Sequence, residues 1–254
     1  MNIDTLKKLA AEKAVEEIKD GMVVGLGTGS TFHFALLKIA ELIKSGELKN
    51  IVCVSSSKQT ELKATELGIP LISLNELYKQ KPNLLAIDLT IDGADEVAIS
   101  HPEQSEGSNE FNLIKGGGGA LLREKITVQA SKKFIVVVDE SKLSKKLGMN
   151  FPVPVEVLQF AVEAEKCFLE SLGAKITIRK NSDGEHLITD EGNFIIDASV
   201  NEITNVNEFA NMLEQRAGIV EHGLFRSNLV NKVVCSLHDG SIKEFENKIG
   251  TQIY

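Results

Sequence analysis

The feature that most limits how this chain can fold is a repeated exchange of short apolar runs for helical patterns across the first 147 residues. "MVVGLG" at 22–27 reads as a strand and "TFHFALLKIAELIKSG" at 31–46 as a helix. "NIVCVSS" at 50–56 is the next strand, followed by a helix around 58–67. "IPLISL", "LLAIDLTI" at 84–91 and "KFIVVVDE" supply further strand candidates. Strands that are apolar on both faces and separated by helices predict a mostly parallel sheet, doubly wound, with helices on each side. Before them, Ile3, Leu6, Ala10, Ala14 and Ile18 recur at helical spacing. Asp4 lies near the start of that helix and Gly21 is expected to end it.

The pattern changes near "LGMNFPVPVEVL", where Pro152 and Pro154 bracket a crossing between units. A helix around 160–171 ends at Gly173. Strand "AKITIRK" then meets a turn at "NSDG", and strand "HLITD" turns at "EGN" into "FIIDASV". A helix around 207–216 and a strand "GIVEHGLF" follow. Helices mixed with hairpin-joined strands predict a smaller α+β unit. "NKVVCSLHDGSIKEFE" reads as two strands about an Asp-Gly turn, returning to the first unit. The expected division is 1–147 plus 223–254 for the larger unit and 148–222 for the smaller. "HPEQSEGSNEFN" at 101–112 is polar and reads as a surface loop.

Composition narrows the function. With 254 residues, 43% hydrophobic, the chain can bury a substantial core, and its net charge of −8 argues against a general nucleic-acid or membrane surface. The three cysteines, Cys53, Cys167 and Cys235, form no CxxC pair or disulfide framework, which suits a reducing cytosol. No apolar run has the length of a membrane span, and the N-terminus lacks a signal peptide's apolar core. The expected location is therefore cytoplasmic.

Three stretches carry chemistry. "GLGTGSTF" at 25–32 lies between a strand and a helix. Its glycines permit a tight turn, and the helix start offers free N–H groups to an anion. It lacks both the third glycine of a dinucleotide fingerprint and the Gly-Lys-Ser/Thr of a nucleotide P-loop. A small-metabolite phosphate is favoured, and a plain capped βα turn is the alternative. "KGGGGALLREK" at 115–125 holds four consecutive glycines, either an oxyanion-binding nest or a flexible hinge. Lys115 and Glu124 flank it, which favours the nest. "DGADEV" at 92–97 puts three carboxylates after an apolar strand. They read as metal ligands, acid/base groups or a polar turn, and they do not match a calcium-binding loop. The five histidines are scattered and form no metal pair.

In this order, "GLGTGST", "DGADE" and "KGGGGALLREK" resemble ribose-5-phosphate isomerases of the A type. "SSS" at 55–57, "FPVPVEV" at 151–157 and "GLF" at 223–225 extend the likeness over almost the whole chain. The resemblance implies interconversion of D-ribose 5-phosphate and D-ribulose 5-phosphate through an enediolate. The implied fold is a doubly wound Rossmann-like domain with a smaller ferredoxin-like α+β domain. It also implies no cofactor and no metal, and a homodimer or homotetramer. By motif position the general base falls on Glu124. The ring-opening and substrate-binding acids fall on Asp92 and Asp95, with Gly93 and Ala94 between them, and the substrate-binding lysine on Lys115. The phosphate loop is Thr28, Gly29, Ser30 and Thr31, and the nest is Gly116, Gly117 and Gly118. Lys7 and Lys142 match accessory basic positions. Glu96 is expected to be either a solvated loop residue or a partner of the site acids.

The likeness is loosest between Glu96 and Lys115, where the eighteen intervening residues outrun the family pattern and read as a surface extension. A sugar-phosphate sensor would need the phosphate loop but not Lys115 with Glu124, and the chain shows no N-terminal helix-turn-helix. An amino-sugar deaminase or acyl-CoA transferase of similar topology is disfavoured by "DGADE" paired with "KGGGGALLRE".

Overall fold

The computed structural model describes residues 1–100 and 110–247. The chain opens with α1 (Ile3–Val15), β1 (Val23–Leu26), α2 (Ser30–Ser45), β2 (Val52–Ser55), α3 (Lys58–Glu66), α4 (Leu74–Gln80) and β3 (Leu89–Gly93). It continues through β4 (Glu96–Ser100), β5 (Glu110–Ile114), α5 (Leu121–Gln129), β6 (Phe134–Asp139) and β7 (Leu143–Ser144). Then come β8 (Val153–Val157), α6 (Val162–Ser171), β9 (Lys175–Ile178), β10 (Phe194–Ser199), α7 (Val206–Glu214) and β11 (Ile219–His222). β12 (Leu224–Phe225), β13 (Lys232–Ser236) and β14 (Ile242–Glu246) are the last elements described.

The main sheet has six strands in the order β14-β13-β6-β3-β1-β2. Every pair is parallel except β13 with β14. β1, β3, β6 and β13 are almost wholly buried, which explains the apolar runs at their centres or starts. Chain order reverses beside β1, with β2 on one side and β3 on the other. An open sheet places its ligand at such a switch, beyond the strands' carboxyl ends. Here those ends are Leu26 and Gly93.

β8, α6, β9, β10, α7 and β11 form a βαββαβ unit with sheet order β11-β8-β10-β9, all antiparallel. This is the ferredoxin-like arrangement. A third sheet, in the order β12-β5-β4-β7, takes β4 and β5 from between β3 and β6, β7 from between β6 and β8, and β12 from between β11 and β13.

Several expectations shift. α1 ends at Val15 rather than at Gly21. "IPLISL" makes only a single bridge, Leu71 with Cys53, because Ser73 and Glu76 form a capping box that starts α4. The strand expected over 84–91 begins only at Leu89, preceded by a single bridge of Ile87 with Ser131, and the Asp88 carboxylate accepts from the Val23 N–H at 2.9 Å. "HLITD" is not a strand. Its Thr189 hydroxyl donates to Glu156 and its Asp190 carboxylate accepts from the Lys58 N–H, so those groups tie the segment down elsewhere. "GIVEHGLF" is two strands in two different sheets, parted at Gly223. A Cβ there would lie 2.2 Å from the Lys115 carbonyl oxygen. The expected loop at 101–112 lies outside the described residues up to 109, and from Glu110 it is strand.

Candidate active site

The phosphate-loop candidate leaves β1 at Leu26 and enters α2 at Ser30. Gly29 takes φ 103° at the helix cap, a conformation that favours glycine. A Cβ on Gly27 would fall 2.2 Å from the Asp92 Oδ1, so only glycine lets the loop lie against that acid. The Thr28 N–H donates to Asp92 Oδ1 at 2.9 Å. The Thr28 hydroxyl sits in a buried cluster with Ser56, Ser57 and Thr60, at 3.0, 2.9 and 3.3 Å. These contacts fix the loop while the first N–H groups of α2 have no intrahelical acceptor. Lys7, from α1, donates to the Ser30 hydroxyl at 3.0 Å.

Asp92, Lys115 and Glu124 converge beneath the loop and are 1%, 2% and 4% exposed. Lys115 lies just beyond β5, and its N–H is held by the Gly223 carbonyl at 2.8 Å. Its Nζ donates to the Gly93 carbonyl at 2.6 Å and lies 2.8 Å from Asp92 Oδ2 and 3.4 Å from Glu124 Oε2. The Phe225 ring lies 5.5 Å from the ammonium. Asp92 also accepts from its neighbour, the Gly93 N–H, at 2.7 Å.

Burial pushes the Glu124 carboxyl up to about 8; Asp92 and Asp95 add to the rise and Lys115 opposes it. Burial likewise raises Asp92 above the ordinary carboxyl range, against the pull of Lys115. For Lys115, burial alone would favour the neutral amine, but Asp92 and Glu124 reverse this and hold it above its usual value. The trio thus sets an ammonium held charged beside a carboxyl raised to about 8, a condition suited to taking and returning a proton.

The glycine run wraps over this trio. Gly116 has φ 96°, and a Cβ on Gly117 would sit 2.5 Å from Asp95 Oδ1. The Gly117 N–H donates to Asp95 Oδ2 at 2.7 Å, so one of the three expected nest donors is already taken. The Gly118 N–H meets no acceptor among the described residues. Behind the run, Arg179 donates to the carbonyls of Gly116 and Gly117 at 2.8 and 3.1 Å. Leu187 and Ile195 stand close beneath Gly119.

Thr28, Gly29, Ser30, Thr31, Gly93, Ala94, Asp95, Lys115, Gly116, Gly117, Gly118, Glu124 and Lys142 line one cleft. Lys142 reaches it from the turn Glu140–Lys142, which the Asp139 carboxylate caps by accepting from the Ser141 N–H at 3.0 Å. Two expected residues stand apart from the lining. Lys7 contacts Ser30 from α1, and Asp92 is buried against Lys115, 2.8 Å from its ammonium. Asp92 is the acid in direct contact with Lys115, while Asp95 accepts from the Gly117 N–H. Glu96 is neither solvated nor in contact with the acids. It is fully buried, and its carboxylate accepts from the N–H groups of Gly148, Asn150 and Phe151 at 3.0, 3.2 and 3.2 Å. Reading along the chain missed Arg179 and its partner Asp197, because only the fold brings them to the glycine run. No group of three or more His, Cys, Asp and Glu residues among those described is placed to hold a metal ion. No helix among them is long and apolar enough to cross a membrane.

A doubly wound sheet with a cleft at its switch point, holding a buried carboxyl–lysine pair beside a helix start, defines an α/β enzyme of small-metabolite chemistry. Residues 52–240 match the model of the family Ribose 5-phosphate isomerase A (phosphoriboisomerase A). The ribose-5-phosphate isomerase A of Desulfatibacillum aliphaticivorans is 53% identical over 222 residues, covering 87% of this chain and 89% of that protein. That of Listeria innocua is 46% identical over 237 residues, 93% of this chain and 96% of its own. The solved ribose 5-phosphate isomerase of Plasmodium falciparum superposes with a TM-score of 0.86 at 41% identity, covering 97% of this chain and all (100%) of that one. A D-ribose-5-phosphate isomerase in complex with phospho-erythronic acid gives a TM-score of 0.86 at 38% identity, over 97% and 100% of the two chains. The chain belongs to the ribose 5-phosphate isomerase A family and is an isomerase.

Proposed function

We propose that this cleft interconverts D-ribose 5-phosphate and D-ribulose 5-phosphate, with Glu124 as the group that carries the proton. One observation supports this most: a buried carboxyl displaced to about 8 lies 3.4 Å from an ammonium that is itself held charged by Asp92. The substrate phosphate sits at the start of α2, against Thr28–Thr31, with Lys7 and Lys142 adding positive charge. Its binding is remote from the reacting carbons and serves to place them.

Opening the furanose removes a proton from the C1 hydroxyl and puts one on the ring oxygen. Asp95, whose carboxyl lines the cleft, and Asp92, reached through Lys115, are the acids for these two transfers. Glu124 then takes the C2 proton of the open aldose as the electron pair moves towards O1. In the enediolate a proton passes between O2 and O1, and Glu124 returns its own proton to C1. The charge that grows on the oxygens faces the Lys115 ammonium and the Gly118 N–H. The complex of a relative with phospho-erythronic acid supports a cleft that takes a small phosphorylated sugar acid. The units 1–147 with 223–254 and 148–222 act together, as a homodimer or homotetramer in the cytoplasm.

A direct assay of ribose 5-phosphate conversion, with other aldose phosphates as controls, tests this reading. Formation of ribulose 5-phosphate well above the controls is the expected result. Preference for another aldose phosphate contradicts it.

A further inference from the structure

The glycine run is clamped from a part of the chain with no assigned role. Arg179 lies one residue past β9, in the ferredoxin-like unit. Its Nε donates to Asp197 Oδ2 at 2.8 Å, and its Nη2 pairs with Asp197 Oδ1, a two-point match of guanidinium and carboxylate. Asp197 is in β10, opposite Thr177 of β9, so both partners of the pair are set by one strand register. The remaining nitrogen, Nη1, donates to the carbonyls of Gly116 and Gly117. Both side chains are largely buried, at 13% and 17% exposed.

A planar trans peptide points its N–H opposite to its C=O. Holding the Gly116 carbonyl therefore aims the Gly117 N–H, which Asp95 accepts. Holding the Gly117 carbonyl aims the Gly118 N–H, which has no protein acceptor among the described residues. Glycine peptides rotate with little steric resistance. The orientation of that free donor thus depends on what grips its peptide from behind.

We propose that Arg179, oriented by Asp197, is a positioning residue for the isomerisation: it locks the Gly116–Gly118 peptides so that the Gly118 N–H meets the oxyanion of the enediolate. The smaller unit thereby contributes to the chemical step without touching the sugar. This rests on the isomerase reading above, and activity of the parent protein, measured first, separates the two. Lysine cannot replace the fork, because one ammonium cannot keep the Asp197 pair and both carbonyl contacts in the same geometry.

The test is steady-state kinetics of Arg179→Gln, Arg179→Lys and Asp197→Asn beside the parent, with thermal melting of each. Two ligands are titrated: inorganic phosphate and a four-carbon phospho-hydroxamic acid whose planar anionic head mimics the enediolate. The expected result is a kcat lowered about 10- to 100-fold with KM within about threefold. Affinity for the hydroxamate falls by a similar factor, while that for phosphate is unchanged. Arg179→Lys does not restore kcat. If Arg179→Gln does not fold, Arg179→Lys and Asp197→Asn carry the test by the same readouts. A parental kcat in any folded variant of Arg179 overturns the proposal. So does a loss confined to KM, or hydroxamate and phosphate affinities that fall together.

Discussion

Glu124 is buried where a carboxylate is costly, and two consequences follow from that cost. First, its proton leaves only near pH 8. In its proposed role Glu124 must be ionised to accept the C2 proton, so kcat/KM should rise with pH through that region and flatten above it in a pH–rate profile. Second, the folded chain keeps this proton where the unfolded chain, with an ordinary value of 4.5, has lost it. Between those two values the unfolded state binds fewer protons, so this group's contribution to stability declines as pH rises. Glu124→Gln removes the decline. Its melting temperature should exceed the parent's by a margin that grows from about pH 5 to pH 8. Lys115 has the opposite character. Lys115→Gln strands Asp92 and Glu124 without their cation, which should cost about 3–5 kcal/mol in chemical denaturation and abolish turnover.

At the level of elements, the site exists because three backbone segments approach more closely than side chains allow. Gly27 against Asp92 and Gly117 against Asp95 are contacts in which a single Cβ would displace an acid. Gly117→Ala should lower kcat/KM about 100-fold, since a shift of an ångström at reacting groups has effects of that size. Gly184→Ala is the control: a Cβ at Gly184 meets nothing, so it should leave turnover intact despite the strained φ of 84°. Glu96 plays a quieter part. With its carboxylate capping three N–H groups of the segment 148–151, Glu96→Gln should destabilise the fold by about 1–3 kcal/mol, seen as a lower urea midpoint. Sequence reading located the buried strands β1, β6 and β13 because burial on both faces leaves an unbroken apolar run. It overextended "LLAIDLTI" and "HLITD", where Asp88, Thr189 and Asp190 spend their polar groups on distant partners. Motif order singled out Glu124, Lys115 and residues 28–31, which the fold gathers at one cleft. It had no means of finding Arg179, 63 residues from Gly116 in the chain and joined to it only by the docking of one unit on the other.

Across the whole molecule, the chain carries a net charge of −8 and still brings the ammonium groups of Lys115 and Lys142 to one cleft. That cleft is lined by the start of α2, the end of β3, the Lys115 segment, α5 and the turn bearing Lys142, with Lys7 of α1 touching it only through Ser30. Because Lys115, the peptide donors and the start of α2 supply the positive charge, activity should survive thorough chelation. Loss of turnover that added Mg²⁺ or Zn²⁺ restores would contradict this. The proposed isomerisation depends on one side chain, Glu124, moving one proton. The measurement that meets it most directly is turnover of ribose 5-phosphate by folded Glu124→Gln, with substrate binding followed in parallel. The predicted result is near-parental binding with kcat reduced by about 10³-fold or more. Parental turnover by that variant would contradict the assignment of Glu124 as the base.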